Sequence, residues 1–161
     1  MILSILKLHL HMRNLSVENI LVRKLEAEDA EDISRIYAAI TQTSVESDFK
    51  QIIEKQALLK DGDASFVAEY QGRVVGYMIS SSPSGGFGIE RSAWITMLGV
   101  NPKFMGQGIG KKMAEEVFRF YDAKGIRNIY TTVRWHYGDL LSFFKTLGFD
   151  RSDFVNLRKA L

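Results

Sequence analysis

The sequence predicts one mixed α/β (α+β) domain, on three observations. Segments of strand periodicity and helical periodicity follow one another in the order β, α, α, β, β, β, α, β, α, β. An apolar strand at residues 92–100 runs through Asn101 and Pro102 into a glycine-spaced turn that opens an amphipathic helix. The length of 161 residues suits a single domain with its own core, and the apolar (46%) and charged (25%) fractions are ordinary for a globular chain.

Residues 1–19 read as an N-terminal extension ahead of a domain at 20–161. Ile2, Ile5 and Leu8 make its start apolar, but Lys7 and His9 interrupt the run. The run is too short to cross a bilayer, and no small-residue cleavage site follows it. Met12 is an alternative start; otherwise Ile2, Ile5 and Leu8 cap the domain or pair with a neighbouring chain. His9 and His11 alternate as on a strand, and a metal there would need further ligands.

The domain opens with a strand at residues 20–25. Glu26, Glu28 and Asp29 then lead into a helix whose Ile33, Ile36, Tyr37 and Ile40 recur at helical spacing, with the acids at the end the macrodipole favours. A second helix is expected from Ser47, a good N-cap, to Leu59, with Phe49, Ile52, Ile53 and residues 56–59 on one side and Asp61 and Gly62 ending it. Strands at 65–70 and 73–79 flank Gln71 and Gly72, a hairpin. Residues 81–88, rich in Ser and Gly, form a loop that either helps shape a substrate pocket or is simply a long hairpin tip.

After the glycine turn the helix is expected to reach about Ala123, burying Ile109, Met113, Val117 and Phe120, with Lys124 and Gly125 closing it. A strand at 128–134 follows. Asp139 is the expected N-cap of a helix carrying Leu140, Phe143, Phe144 and Leu147, which Gly148 and Phe149 end. Residues 153–157 read as a final strand.

The glycine turn carries the most chemistry. Gly106, Gly108 and Gly110 let backbone approach a ligand, and the free N–H groups of a first helical turn stabilise an anion. A P-loop ending at Gly110 and Lys111 would need Gly at Met105 and a hydroxyl at Lys112, so that motif fails. A dinucleotide fingerprint from Gly106 and Gly108 would need a small residue at Lys111, and fails too.

What remains resembles the acyl-CoA loop of the GNAT superfamily of N-acetyltransferases, Gln/Arg-x-x-Gly-x-Gly/Ala after a strand that ends hydrophobic and often in Pro. Gly108 and Gly110 match, while Met105 stands where Gln or Arg is usual. Lys145, Leu147, Gly148 and Phe149 resemble the superfamily's late Lys/Arg-x-Leu-Gly-Phe signature, and the order of elements from about Ile20 to the end is that of the GNAT fold. The resemblance implies a mostly antiparallel central sheet with a splayed pair of strands, flanked by about four helices. Acetyl-CoA, the co-substrate, would enter between the strand of Leu98, Gly99 and Val100 and the strand at 128–134. It would be held along the turn of Met105, Gly106, Gln107, Gly108, Ile109, Gly110 and Lys111. No metal is implied.

Acetyl transfer requires the amine to lose a proton, the thioester carbonyl to be polarised and the leaving thiolate to be protonated. The resemblance gives the second task to a backbone N–H near Leu98 or Val100. Lys103, Lys111 and Lys112 either add charge near the phosphates or are solvated surface. The superfamily's thiolate acid is often a Tyr at the position of Phe144, which can line the cofactor but donates no proton. Tyr137 is the preferred substitute, with His136 behind it; alternatively both pack on Trp135, and catalysis comes mainly from bringing the reactants together. Glu90 or Glu69 would be the base, directly or through water, with solvation at a strand end as the alternative. Trp94, Trp135, Phe87 and Tyr77 either line an acceptor pocket or belong to the core.

The leading reading is an N-acyltransferase that moves acetyl from acetyl-CoA to a primary amine of a small molecule or protein, by direct transfer in a ternary complex. Its alternative is a catalytically inactive acyl-CoA sensor or partner module. A formal charge of +2 gives no default for nucleic acid, and no membrane segment is read. The absence of cysteine excludes disulfides, thiolate metal sites and a Cys nucleophile, and suits a cytoplasmic protein. Pairing through an exposed strand or the extension would give a homodimer.

Overall fold

Five strands build the sheet: β1 (Leu21–Lys24), β2 (Phe66–Tyr70), β3 (Arg73–Ser81), β4 (Ala93–Val100) and β5 (Ile129–Thr131), of which β3 is buried along nearly its whole length. The structure, a computed structural model, describes residues 19–44, 47–59, 63–83 and 90–161. The expectations for residues 1–18, Asp61, Gly62 and residues 84–89, Phe87 among them, lie outside the described residues. Among the described residues no helix is long and apolar enough to cross a membrane. The chain divides into two compact units, Met1–Thr131 and Thr132–Leu161.

In the first unit the strands pair in chain order, antiparallel from β1 to β4, with β5 parallel to β4. The helices are α1 (Ala30–Thr41), α2 (Ser47–Leu58) and α3 (Ile109–Ala123). One core cluster joins Ile33 and Ile36 of α1 and Ile53 of α2 to Val67, Tyr77 and Ile79 of the sheet. Ile109, Met113, Val117 and Tyr121 of α3 are buried too. Gly76 lets that helix approach β3: a Cβ there would stand 3.1 Å from Met113 Cε and 3.2 Å from Ile109 Cγ2.

Two polar constructions hold this unit. Arg23 on β1 grips Asp29 with two hydrogen bonds of 2.8 Å and Glu69 on β2 with one of 2.9 Å. Bonding to Asp29 and then Glu69 outweighs desolvation and raises the guanidinium pKa, so Arg23 stays charged. Deeper in, Tyr121 Oη lies 2.9 Å from Ser80 Oγ and accepts from the Ala64 N–H at 3.2 Å, while Ser80 Oγ donates to the Ala64 carbonyl. Burial raises the Tyr121 pKa, so the phenol stays neutral inside this network.

β-Bulges shape the sheet where it matters. Ile79 faces Met97 and Ser80 faces Ile95, so Thr96 is an extra residue on β4. Its hydroxyl donates to the Ile79 carbonyl, 3.3 Å away. The β4–β5 ladder ends at Ile95 and Thr131, beside that bulge, while β4 continues to Val100. The early end of the ladder shortens β5 from the expected 128–134, since a bulge bends β4 off the line of a continued ladder.

Several sequence expectations are corrected. Ile52, Leu58 and Leu59 are exposed, and among the described side chains of α2 only Ile53 and Ala57, a narrower face, are fully buried. Phe120 lies under the ammonium groups of Lys24 and Lys124, each within 4.6 Å of the ring centroid, rather than deep in the core. In the second unit the helix α4 (Gly138–Thr146) has Tyr137 at its N-cap. Asp139 sits one residue inside it, where its charge suits the macrodipole but its side chain makes no cap bond. Residues 153–157 form no strand and are exposed, because a strand needs a ladder partner and none of the described residues supplies one.

Candidate functional site

The end of β4 is tied down before the turn begins. The Asn101 N–H donates to the carbonyl of Val75, the bulged residue of β3, at 2.8 Å. Asn101 Oδ1 accepts from the Lys103 N–H at 3.0 Å and so caps the 3-10 turn Pro102–Phe104. Phe104 is fastened to the hairpin by its ring contact with Tyr70, 5.6 Å between centroids. The sequence reading overlooked this anchor, although Asn before Pro at a helical start is a capping signal.

Gly106 and Gly108 both have φ +76°, the left-handed region, and Gly108 is the N-cap of α3. A Cβ on either would meet nothing within 4 Å, so the space over the turn is open. The first intrahelical bond runs from the Lys112 N–H to the Gly108 carbonyl at 3.0 Å, leaving the N–H groups of Ile109, Gly110 and Lys111 outside the ladder. No acidic residue sits in the first turn of α3 to oppose an anion. Met105 is half exposed beside the turn and Gln107 partly buried.

The three lysines diverge. Lys103 is exposed, Lys111 reaches Glu115 along the helix at 3.9 Å, and Lys112 Nζ lies 3.5 Å from the Ile20 carbonyl. Ahead of the turn, Leu98 and Val100 are partly buried and Gly99 is buried. A Cβ on Gly99 would stand 2.7 Å from Tyr77 Cε1 and 2.9 Å from Ile40 Cδ1. Only glycine lets the Tyr77 ring lie on β4 here.

The candidate bases separate by environment. Glu69 Oε2 accepts from Arg23 Nε at 2.9 Å, so one of its oxygens is committed to a guanidinium. Glu90 is exposed, just before β4. Trp94 packs on Tyr130, with ring centroids 5.1 Å apart.

In the second unit His136 and Tyr137 meet edge to face at 4.6 Å, and Tyr137 is 50% exposed. Trp135 is 91% exposed, so it is no platform for either ring. Phe144 is buried, with its ring against Phe143 and Phe149.

The model of the acetyltransferase (GNAT) family matches residues 22–149, and the chain belongs to that family. A mycothiol acetyltransferase from Amycolatopsis mediterranei (strain U-32) is 30% identical over 96 residues, which are 58% of this chain and 32% of that protein. The chain thus spans about a third of the length of this curated relative.

Among solved structures, AAC(6')-Iy in complex with a CoA-S-monomethyl-acetylneamine bisubstrate analogue superimposes with a TM-score of 0.75 at 18% identity, covering 88% of this chain and 98% of that one. The aminoglycoside acetyltransferase meta-AAC0020, from an uncultured soil metagenomic sample, gives 0.73 at 20% identity over 90% and 98%. A transcriptional regulator from Bacillus halodurans C-125 gives 0.73 at 18% over 88% and 99%. Proteins so differently named, at such low identity, share the fold, and the fold alone does not choose an activity.

Proposed function

We propose that this protein is a CoA-dependent N-acetyltransferase that moves acetyl from acetyl-CoA to a primary amine in a ternary complex. The observation that carries this reading is the turn at the end of β4: two left-handed glycines under open space, followed by helical N–H groups with no acid beside them. The pyrophosphate would lie along Gly106 to Lys111, held mainly by backbone. The pantetheine would follow β4 where it parts from β5, past Leu98, Gly99 and Val100. Membership of the acetyltransferase family supports both assignments.

In the reaction the amine nitrogen attacks the thioester carbonyl, the carbon–sulfur bond breaks, the amine loses a proton and the departing thiolate gains one. A backbone N–H near Leu98 or Val100 would stabilise the carbonyl oxygen as it becomes negative. Tyr137 is our candidate donor to the thiolate, with His136 packed on it, while Phe144, the family's usual Tyr position, could line the cofactor but has no proton to donate. Glu90 is favoured over Glu69 as base, directly or through water, because Glu69 is tied to Arg23.

The acceptor belongs to the amines as a class. Two of the structural relatives are AAC(6')-Iy, solved with an acetylneamine bisubstrate analogue, and an aminoglycoside acetyltransferase, which makes aminoglycosides one member of a first panel with polyamines and peptides. Calorimetry with acetyl-CoA and CoA, against ATP and NAD as controls, tests the reading. Micromolar binding selective for the CoA ligands is expected, followed by thiol release with an amine. Equal binding of ATP would overturn it, and CoA binding without turnover of any amine would leave a sensor.

A further inference from the structure

Tyr77 and Tyr121 are both deeply buried, and only one has its hydroxyl occupied. Tyr121 Oη is bonded to Ser80 and Ala64. Tyr77 is 2% exposed, yet its hydroxyl makes no hydrogen bond to any described residue. A phenol buried without a partner loses its hydration and gets nothing back, and Phe would fill the same volume without that loss. Among the described residues no side-chain oxygen or nitrogen is both sealed from solvent and unpartnered. The Tyr77 oxygen is therefore not fully sealed from a ligand or solvent.

Geometry says where that oxygen is carried. Tyr77 of β3 stands directly opposite Gly99 of β4. The far edge of its ring, Cε1 and Cζ, lies 2.7 and 2.9 Å from where a Gly99 Cβ would be, so the phenol is laid across onto β4. Ile40 of α1 closes over the same point at 2.9 Å. Gly99 belongs to the stretch of β4 past the Thr96 bulge, where the β5 ladder has ended. Desolvation, with Tyr37 nearby, pushes the phenol pKa well above its ordinary range, so the group remains a donor.

We infer that Tyr77 donates a hydrogen bond from its hydroxyl to the acyl carbonyl oxygen of the bound thioester, with Gly99 as the gap that lets it reach. The inference rests on the acetyl-CoA reading above and adds to the backbone N–H a side-chain donor from a strand that does not border the cleft. A neutral phenol suits a carbonyl whose oxygen gains charge as the amine attacks, because the donor's proton is in place before the charge develops.

Tyr77→Phe tests this, since it keeps the ring and removes only the oxygen. Calorimetry should give the wild type a preference for acetyl-CoA over CoA, and the variant should lose that preference by about fivefold to tenfold, as for one hydrogen bond, with CoA affinity and melting temperature unchanged or the latter higher. Infrared difference spectra with acetyl-CoA labelled with carbon-13 at the carbonyl should show the bound stretch moving back toward its free position in the variant. With kanamycin, spermidine and glucosamine as probe amines, any turnover should fall in kcat, and KM for acetyl-CoA should rise by no more than the fivefold to tenfold lost in its affinity.

An unchanged preference and carbonyl stretch would overturn the inference and leave the acetyl-CoA reading standing. Equal loss of CoA and acetyl-CoA affinity with a lower melting temperature would make Tyr77 a packing residue and overturn it as well. A wild type that binds neither CoA ligand would overturn the acetyl-CoA reading, and the inference with it.

Discussion

Two pairs of glycines serve the same end of the sheet for opposite physical reasons. Gly76 and Gly99 are glycines because their neighbours come too close for a side chain: Met113 and Ile109 in the first case, Tyr77 and Ile40 in the second. Gly106 and Gly108 have nothing within 4 Å of a Cβ and are glycines because their φ is positive. The first pair is a packing requirement of the core. The second is a conformational requirement of a turn that faces open space, which is where a ligand can come. The same residue type thus marks the inside and the outside of the candidate site.

Substitution should separate the two pairs, and the largest effect belongs to the open turn. Gly108→Glu places bulk and negative charge where the pyrophosphate would lie and should weaken CoA by about a hundredfold or more, close to 3 kcal/mol. The loss of stability should be nearer 1 kcal/mol, the cost of positive φ outside glycine. Calorimetry paired with thermal melting reads both, and unaltered CoA affinity would move the ligand elsewhere.

Gly99→Ala should show the reverse weighting. The Tyr77 ring, buried and rigid, must shift by several tenths of an ångström, so a loss of about 1–3 kcal/mol in urea unfolding is expected. Stability equal to wild type would mean that the strand accommodates the methyl group and that the closeness of Tyr77 is no constraint. Gly76→Ala should cost less, because the nearest atom there is the flexible end of Met113.

Tyr121→Phe extends the comparison to the two buried phenols. It removes a hydroxyl that serves Ser80 and the Ala64 N–H, so a loss of about 1–2 kcal/mol is expected in the same unfolding experiment. Tyr77→Phe should cost nothing by that measure, and equal losses would erase the distinction between them. The smallest effect is expected at the exposed corner before α4. Tyr137→Phe should leave stability and CoA affinity intact and slow amine acetylation by about tenfold, less than general acid catalysis usually contributes because water can protonate the thiolate in its place. An unaltered rate would remove Tyr137 from the mechanism.

How much of this was legible in the sequence depends on the range of the interactions involved. The helix α3 and its glycine opening were read within a residue or so, because periodicity, a left-handed N-cap and a closing Gly125 are local signals. The hairpin β2–β3 was read from Gln71 and Gly72 for the same reason. Ile52 and Leu58 misled, since an apolar residue on a helix says nothing about how wide a face the sheet will cover. The strand expected at 153–157 failed because alternation describes a strand's faces and cannot provide its partner. The part played by Gly99 was invisible, since nothing in Leu98, Gly99 and Val100 tells that a tyrosine more than twenty residues earlier lies across the strand.

The sequence by itself determined the order of strands and helices, the place of the glycine turn and the family to which the chain belongs, because each rests on residues within a few positions of one another. Tertiary structure alone decided the extra residue at Thr96, the early end of the β4–β5 ladder, the commitment of Glu69 to Arg23 and the contrast between Tyr77 and Tyr121. Each of these is a meeting of groups far apart in the chain. Register, burial and hydrogen-bond satisfaction are settled by the packing of the whole core, and no local preference encodes which distant partner a buried oxygen finds or fails to find.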